Sequence, residues 1–394
     1  MSINFHSQAQ ALREELIVRR RDLHRHPEIA FEETRTAGIV AAALSEMGLE
    51  VQTGIGKTGV VGLLEGEGNG PTLLVRADMD ALPVHEANET EYVSEIPGKM
   101  HACGHDGHTS VGLAVAKMLS QYRAQIKGRV KFVFQPAEEI GEGALAMIAD
   151  GVLENPRPDY SIGLHLWNEL PVGMVGVTAG PSMAAADIWK CVLTGYGGHG
   201  AQPQKTHDPI VAAAQAVTAL QAVVSRNVDP LDTAVISVCS IHAGEAFNVI
   251  PSEVEMKGTI RSFNEQTRAM LHARLHEVIE GVAGAMQCRA EIEIMPRTKA
   301  VNNAPDLAER VAAIAAGIVG ESNVKRGVRT MGAEDMSYLM DDIPGCYFFV
   351  GSSNKERGLD YPHHNPRFDI DEEALVIAAT VLANVAASFV IPKG

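Results

Sequence analysis

The sequence predicts an α/β fold, a mixed-sheet layered domain interrupted by a smaller α+β domain. Three observations lead there. Short apolar runs alternate with helical periodicity up to about residue 183, and this texture returns after about residue 297. Between the two stretches the pattern changes to β-α-β-β-α-β, the ferredoxin-like order. The chain, at 394 residues, is also long for one hydrophobic core. The predicted division is therefore 1–183 with 297–394, and an inserted domain at 184–296.

Composition narrows the functional classes. The chain is 46% hydrophobic and 21% charged, as ordinary globular proteins are. A net charge of −16 argues against nucleic acid or an anionic membrane as partner. An anionic substrate would need a local basic residue. Cys103, Cys191, Cys239, Cys288 and Cys346 are odd in number and scattered, which fits a reducing, cytoplasmic setting better than a disulfide framework. Residues 1–21 are polar and end in three arginines, unlike a secretory signal. Residues 374–391 carry no charge and approach the length of a membrane span. They follow Asp369, Asp371, Glu372 and Glu373 and contain Thr380, Asn384 and Ser388, so a buried C-terminal helix is predicted.

In chain order, Leu12, Leu16, Val18 and Leu23 give residues 8–23 helical spacing, and Pro27 stops it. His24, Arg25 and His26 are read as complementing that helix's C-terminus. A second helix spans 34–47, with Gly48 just past its end. Strands follow at 60–65 and 72–76, the second a buried parallel type that runs into Asp78 and Asp80. Open α/β sheets place sites at such strand ends, although an Asp-rich turn explains the pair equally well. Residues 100–109 read Met-His-Ala-Cys-Gly-His-Asp-Gly-His-Thr. In an extended segment Cys103 and His105 would project to one side, as a thiolate and an imidazole suited to zinc and similar ions. A buried structural cysteine or a Cys-His nucleophile fits the pair as well.

A helix is predicted from about 109 to 122, then a buried strand at 129–134 ending in Gln135-Pro136-Ala137-Glu138-Glu139. A short helix begins at 144, and strands at 160–166, carrying His165, and 173–177 complete this half. The inserted domain reads as strand 188–194, a glycine-rich loop holding His199, helix 209–225, strands 234–241 and 254–262, helix 266–286 and strand 289–295. Helix 306–318, the Gly332-Ala333-Glu334-Asp335 segment, strand 347–350 and a loop with His363 and His364 close the chain.

Cys103, His105, Glu139, His165 and one of His363 or His364 thus form a candidate donor set, with Asp78, Asp80 and Glu138 beside it. Five donors exceed one tetrahedral structural site and suggest two metals with open positions. Adjacent like charges at Glu138 and Glu139 disfavour joint ionisation unless cations lie between them. Glu139 as ligand and Glu138 as general base is the natural division.

These stretches resemble the metal-dependent amidohydrolases related to hippurate hydrolase, N-acyl-amino-acid amidohydrolase and the auxin-conjugate hydrolases, within the wider aminoacylase and zinc carboxypeptidase superfamily. The resemblance rests on residues 23–28, 76–83, 100–109, 134–139, 163–167, 197–203, 332–335 and 364–368, in the family's order. It implies a binuclear exopeptidase-like site from Cys103, His105, Glu139, His165 and His364, with Glu138 as base and Asp80 in support. His364 is preferred because His364-Asn365-Pro366-Arg367-Phe368 fits the family pattern and a shift to His363 does not; His108 is read as supporting. The resemblance further implies that the inserted domain is a lid and dimerisation module, forming a homodimer or homotetramer. His199 would stabilise the oxyanion across a dimer, and Arg261 and Asn248 would hold the substrate carboxylate. The implied cofactors are two divalent ions, zinc first, with manganese, cobalt or nickel possible. The implied reaction is hydrolysis of N-acyl-L-amino acids of the hippurate kind, with a dipeptidase or carboxypeptidase as alternative. A thiol hydrolase built on Cys103 and a non-catalytic metabolite-binding protein are the rivals from other classes.

Overall fold

The computed structural model describes residues 3–392 and divides into two units, each with its own core. The first comprises Met1–Ser182, Val301–Arg329 and Asp335–Gly394 as far as described, and the second Met183–Ala300 with Thr330–Glu334.

The first unit is built on an eight-stranded mixed sheet. Its strands run, in spatial order, Glu50–Ile55, Gly59–Glu65, Lys127–Gln135, Gly68–Asp78, Tyr160–Pro171, Gly345–Ser353, Val175–Val177 and Val324–Arg326. The four central strands, from Lys127–Gln135 to Gly345–Ser353, are parallel, and antiparallel pairings appear outside them. Residues 72–78 are buried without a break, as expected of a strand covered on both faces. Register sets Val75 beside Phe132 and Ile162, and brings Asp78 level with Gln135. Two strand ends that carry polar chemistry therefore emerge at one place.

Helices His105–Ser120 and Glu373–Val390 pack on each other and on the sheet. Glu373–Val390 is long and apolar enough to cross a membrane, yet thirteen of its residues are buried in the first unit's core. Its composition is that of a central core helix. The expected first helix divides into Phe5–Ala11 and Arg13–Arg25 at Leu12. The hydrogen-bond ladder continues through that point, Leu12 N donating to Gln8 O at 3.0 Å and Leu16 N to Leu12 O at 2.9 Å, so the break is a local kink.

The second unit holds a four-stranded antiparallel sheet in the order Ala234–His242, Glu253–Ser262, Ala185–Thr194, Arg289–Thr298. Helices Pro209–Asn227 and Glu265–Ala285 cover it, giving the ferredoxin-like arrangement. Along Glu253–Ser262 every second residue is buried, with Val254, Met256 and Ile260 facing the helices' Leu220, Leu271 and Leu275. Both helices start on side-chain caps. Asp208 accepts from Ile210 N ahead of Pro209, and Asn264 accepts from Thr267 N at 2.7 Å.

Candidate metal centre

The donor residues lie where the central strands of the first unit end. Gly68–Asp78 delivers Asp78 and then Asp80, and Lys127–Gln135 runs into the loop bearing Glu138 and Glu139. His165 sits within Tyr160–Pro171, in register with Phe349. Cys103 and His105 do not share an extended segment as expected. Gly104 between them adopts φ 94°, open to glycine and strained for other residues, and His105 is the first residue of a helix. The expected helix start at 109 is thus four residues late, because polar His105, Asp106 and His108 hide a buried helical turn.

The ligating atoms of Cys103, His105 and His165 lie within 4.8 Å of one another, and so do those of Cys103, Glu139 and His364, and of His105, Glu138 and Glu139. Cys103, His105 and Glu139 each belong to two of these groups, so the groups describe adjoining positions. Cys103 Sγ is 3.5 Å from His165 Nε2. The two oxygens of Glu139 face different histidines, Oε1 standing 3.9 Å from His105 Nε2 and Oε2 3.4 Å from His364 Nε2. His105 Nε2 and Glu139 Oε1 are buried and have no hydrogen-bond partner. Orphaned buried polar atoms are costly. A divalent cation between them would satisfy both, so this donor set fits the implied metals.

The neighbouring hydrogen bonds decide which nitrogen of each histidine is free. His105 Nδ1 donates to Asp80, whose backbone oxygen is 2.9 Å away and Oδ1 3.2 Å, leaving Nε2 as ligand atom. Asp80 Oδ2 accepts from Glu139 N at 2.9 Å, so one aspartate orients two donors. His165 Nδ1 donates to Leu166 O at 2.6 Å, which turns a bare Nε2 toward Cys103. His108 is committed at both nitrogens, Nδ1 to Asp78 at 2.6 Å and Nε2 accepting from Leu166 N at 2.8 Å. Asp78 also receives Arg76 Nη1 at 2.5 Å. His363 stacks on Trp167 at 4.7 Å, and its Nε2 accepts from Asn168 N at 3.2 Å. His364, not His363, reaches the donor group, from a backbone at φ 66°.

The electrostatics of the donor residues follow from burial and from the neighbouring charges. Burial lifts the Cys103 thiol well above the ordinary range, and Glu139, Glu138 and Asp78 add to it. Burial raises Glu139 to about 7, opposed by the charge on His105. Burial would lower His105, but Asp78, Asp80 and Glu139 outweigh it and raise it to about 10. Burial, then His108 and His363, push His165 well below its usual value. A cation reverses this ordering by favouring the thiolate, the carboxylate and neutral imidazole together.

Of the other sequence candidates, His199 and Asn248 lie near one another in the second unit. His199 pairs with Val249 across a two-stranded ribbon, and Asn248 O accepts from Gly200 N at 2.8 Å. His199 is exposed, and its Nδ1 accepts from Ala201 N at 3.0 Å. Arg261 stands on that unit's sheet, half-buried, meeting the Thr259 hydroxyl and the Ile260 carbonyl. Asp187, one strand over, is taken by Arg268 and His272.

Two features escaped the sequence reading. His24 does not complement a helix end: its Nδ1 meets Asp106 at 2.7 Å and its Nε2 meets Glu86 at 3.2 Å, fully buried. His26 does keep that role, donating to Asp22 O at 2.8 Å. Arg20, also fully buried, joins Asp106 at 2.9 Å and Asp369 at 2.7 Å, tying the helix that begins at His105 to the segment after His364. The i, i+4 spacing of Arg20 and His24 was the available signal, one shared by most exposed helical pairs.

The chain is similar to known proteins along nearly its whole length. The family described as Peptidase family M20/M25/M40 matches residues 74–388. IAA-amino acid hydrolase ILR1-like 4 of Arabidopsis thaliana is 39% identical over 376 residues, 94% of this chain and 85% of that one. Thermostable carboxypeptidase 2 of Saccharolobus solfataricus is 38% identical over 374 residues, 94% of each. A solved Bacillus subtilis structure, described as a dinuclear metal binding peptidase from the M20 family, matches with TM-score 0.83 and 35% identity, over 96% of this chain and 98% of that one.

Proposed function

Since the chain belongs to peptidase family M20/M25/M40, a family of metal-dependent hydrolases of amide bonds, we propose that it hydrolyses N-acyl-L-amino acids of the hippurate kind. The products are a carboxylic acid and a free amino acid. The observation that carries the reading is the buried, partnerless pair of His105 Nε2 and Glu139 Oε1 within the five-donor set. Cys103, His105, Glu139, His165 and His364 would hold two divalent cations, zinc first because a thiolate is among the donors. Bound there, the cations would supply Lewis acidity and make a water acidic enough to attack at neutral pH.

Glu138 takes the proton of the attacking water on its carboxylate and returns it to the amide nitrogen as the C–N bond breaks. Asp80 keeps His105 and Glu139 in their orientations. In the second unit, His199 keeps its Nδ1 occupied by Ala201 N, which leaves Nε2 to donate to the developing oxyanion, delivered from a partner copy. Arg261 makes no ion pair among the described residues, and with Asn248 it would hold the substrate carboxylate. Residues 1–183 and 297–394 would act as the catalytic domain and 184–296 as lid and dimerisation module of a cytoplasmic homodimer or homotetramer.

The test is Glu138→Gln, which keeps shape and removes the base. Metal content should stay at the wild-type level while kcat falls about 10²–10⁴-fold. Unchanged turnover removes Glu138 from this role. A panel of acetyl-, benzoyl- and indoleacetyl-amino acids beside dipeptides tests the substrate class, and faster cleavage of dipeptides would assign the carboxypeptidase-like reading, in keeping with the Saccharolobus relative.

A further inference from the structure

Glu33 is a fully buried carboxylate with no ion pair among the described residues. It is the N-cap residue of helix Thr34–Glu46, but its side chain makes no capping hydrogen bond. That task belongs to Glu28, whose oxygens accept from Arg35 N at 2.9 Å and Thr36 N at 2.8 Å. Glu33 turns inward instead. Its Oε1 accepts from Phe31 N at 3.0 Å and from Ala137 N at 2.9 Å, and its Oε2 accepts from the Thr58 hydroxyl at 2.5 Å.

Both amides that Oε1 binds belong to non-glycine residues in the left-handed region, Phe31 at φ 63° and Ala137 at φ 53°. Such backbone is disfavoured for residues with a Cβ and persists only where its surroundings impose it. Ala137 immediately precedes Glu138 and Glu139. The turn is closed on its other side by Gly141 N donating to Glu138 O at 2.7 Å and Gly143 N to Ala137 O at 3.1 Å.

We propose that Glu33 is the positioning residue of the Glu138–Glu139 turn: its buried carboxylate holds Ala137 in the left-handed conformation and so sets the direction in which both glutamates leave the Lys127–Gln135 strand. A buried anion without a counter-ion is expensive. Placing one here makes sense where the angle of the following residues matters more than local stability. The assignment rests on the reading of Glu139 as ligand and Glu138 as base.

The experiment compares Glu33→Leu with Glu33→Gln in the full-length protein, reading zinc affinity by competition with a chromogenic chelator alongside kcat and KM. Leucine removes the acceptor. Glutamine keeps one oxygen for both amides and turns its amide toward Thr58. Glu33→Leu should weaken zinc binding about 10–100-fold and lower kcat more than KM, whereas Glu33→Gln stays near wild type. Adding Ala137→Gly to Glu33→Leu should recover part of both, because glycine adopts the left-handed conformation freely. If Glu33→Leu does not fold, Thr58→Val weakens the same carboxylate and should shift zinc affinity in the same direction. The proposal is overturned if zinc affinity is unchanged in Glu33→Leu or Thr58→Val. It is equally overturned if leucine and glutamine weaken binding alike and Ala137→Gly recovers nothing. Full turnover in Glu138→Gln would sink the base assignment alone, since zinc affinity still judges Glu33.

Discussion

Replacing Arg20 by methionine tests how the first unit pays for its buried charges. Arg20 has no exposed surface and contacts Asp106 at 2.9 Å, Asp369 at 2.7 Å and Glu372 at 3.5 Å. Removing one partner of a buried ion pair costs about 3–5 kcal/mol. The lower figure applies here, because His24 still faces Asp106 at 2.7 Å and Arg21 still faces Glu372 at 2.6 Å. Asp369 alone loses its ion pair, keeping as hydrogen-bond donors the Tyr92 hydroxyl at 2.7 Å and Ile370 N at 2.8 Å. At roughly 2–4 °C per kcal/mol for a unit of this size, Tm should fall by about 6–12 °C at pH 7.5.

The pH dependence has a definite sign. In the native protein, burial would raise Asp369, but Arg20 and His24 hold it below its ordinary value. In the variant the buried carboxyl rises above its unfolded value, so the folded state binds more protons than the unfolded one across that window. The deficit is then complete at high pH and shrinks as pH falls. Thermal unfolding followed by circular dichroism at pH 7.5 and pH 5 measures both effects. A Tm loss under about 2 °C, or an equal loss at both pH values, would refute this account of the cluster.

Two further outcomes are expected. Chelation should abolish hydrolysis and lower Tm, with zinc or manganese restoring both, and Cys103→Ala should reduce the bound metal per chain; hydrolysis indifferent to chelators would instead support a thiol mechanism. Gly258→Ala would drive a Cβ into the Ser237 carbonyl and the Trp189 ring, both held by the second unit's sheet and core. Overpacking of this kind costs about 1–3 kcal/mol, seen as an earlier unfolding transition, and a Tm equal to wild type would show that the sheet yields there.

Periodicity made the interior of both units legible. The strands at 60–65, 72–76, 129–134 and 160–166 all appear in the eight-stranded sheet, because buried strands carry continuous apolar runs. Glu50–Ile55 and Val324–Arg326 went unread, since edge strands that leave most residues exposed carry little pattern. The first turn of helix His105–Ser120 was missed because its buried face is made of histidine and aspartate. Arg20 and Glu33 went unread, since nothing local marks a partner 86 or 104 residues away.

By itself the sequence determined which donor chemistry the chain carries and the order of its layers, since residue type and spacing are local properties. Only the tertiary structure decided which atoms are left to bind. His105 and His108 lie three residues apart in one helix, yet Asp78 and the Leu166 amide consume both nitrogens of His108, while Asp80 leaves Nε2 of His105 bare. The partners that make this choice arrive from strands and a strand's following segment, 25 to 58 residues distant, and long-range hydrogen bonding leaves no mark in the local pattern of a chain.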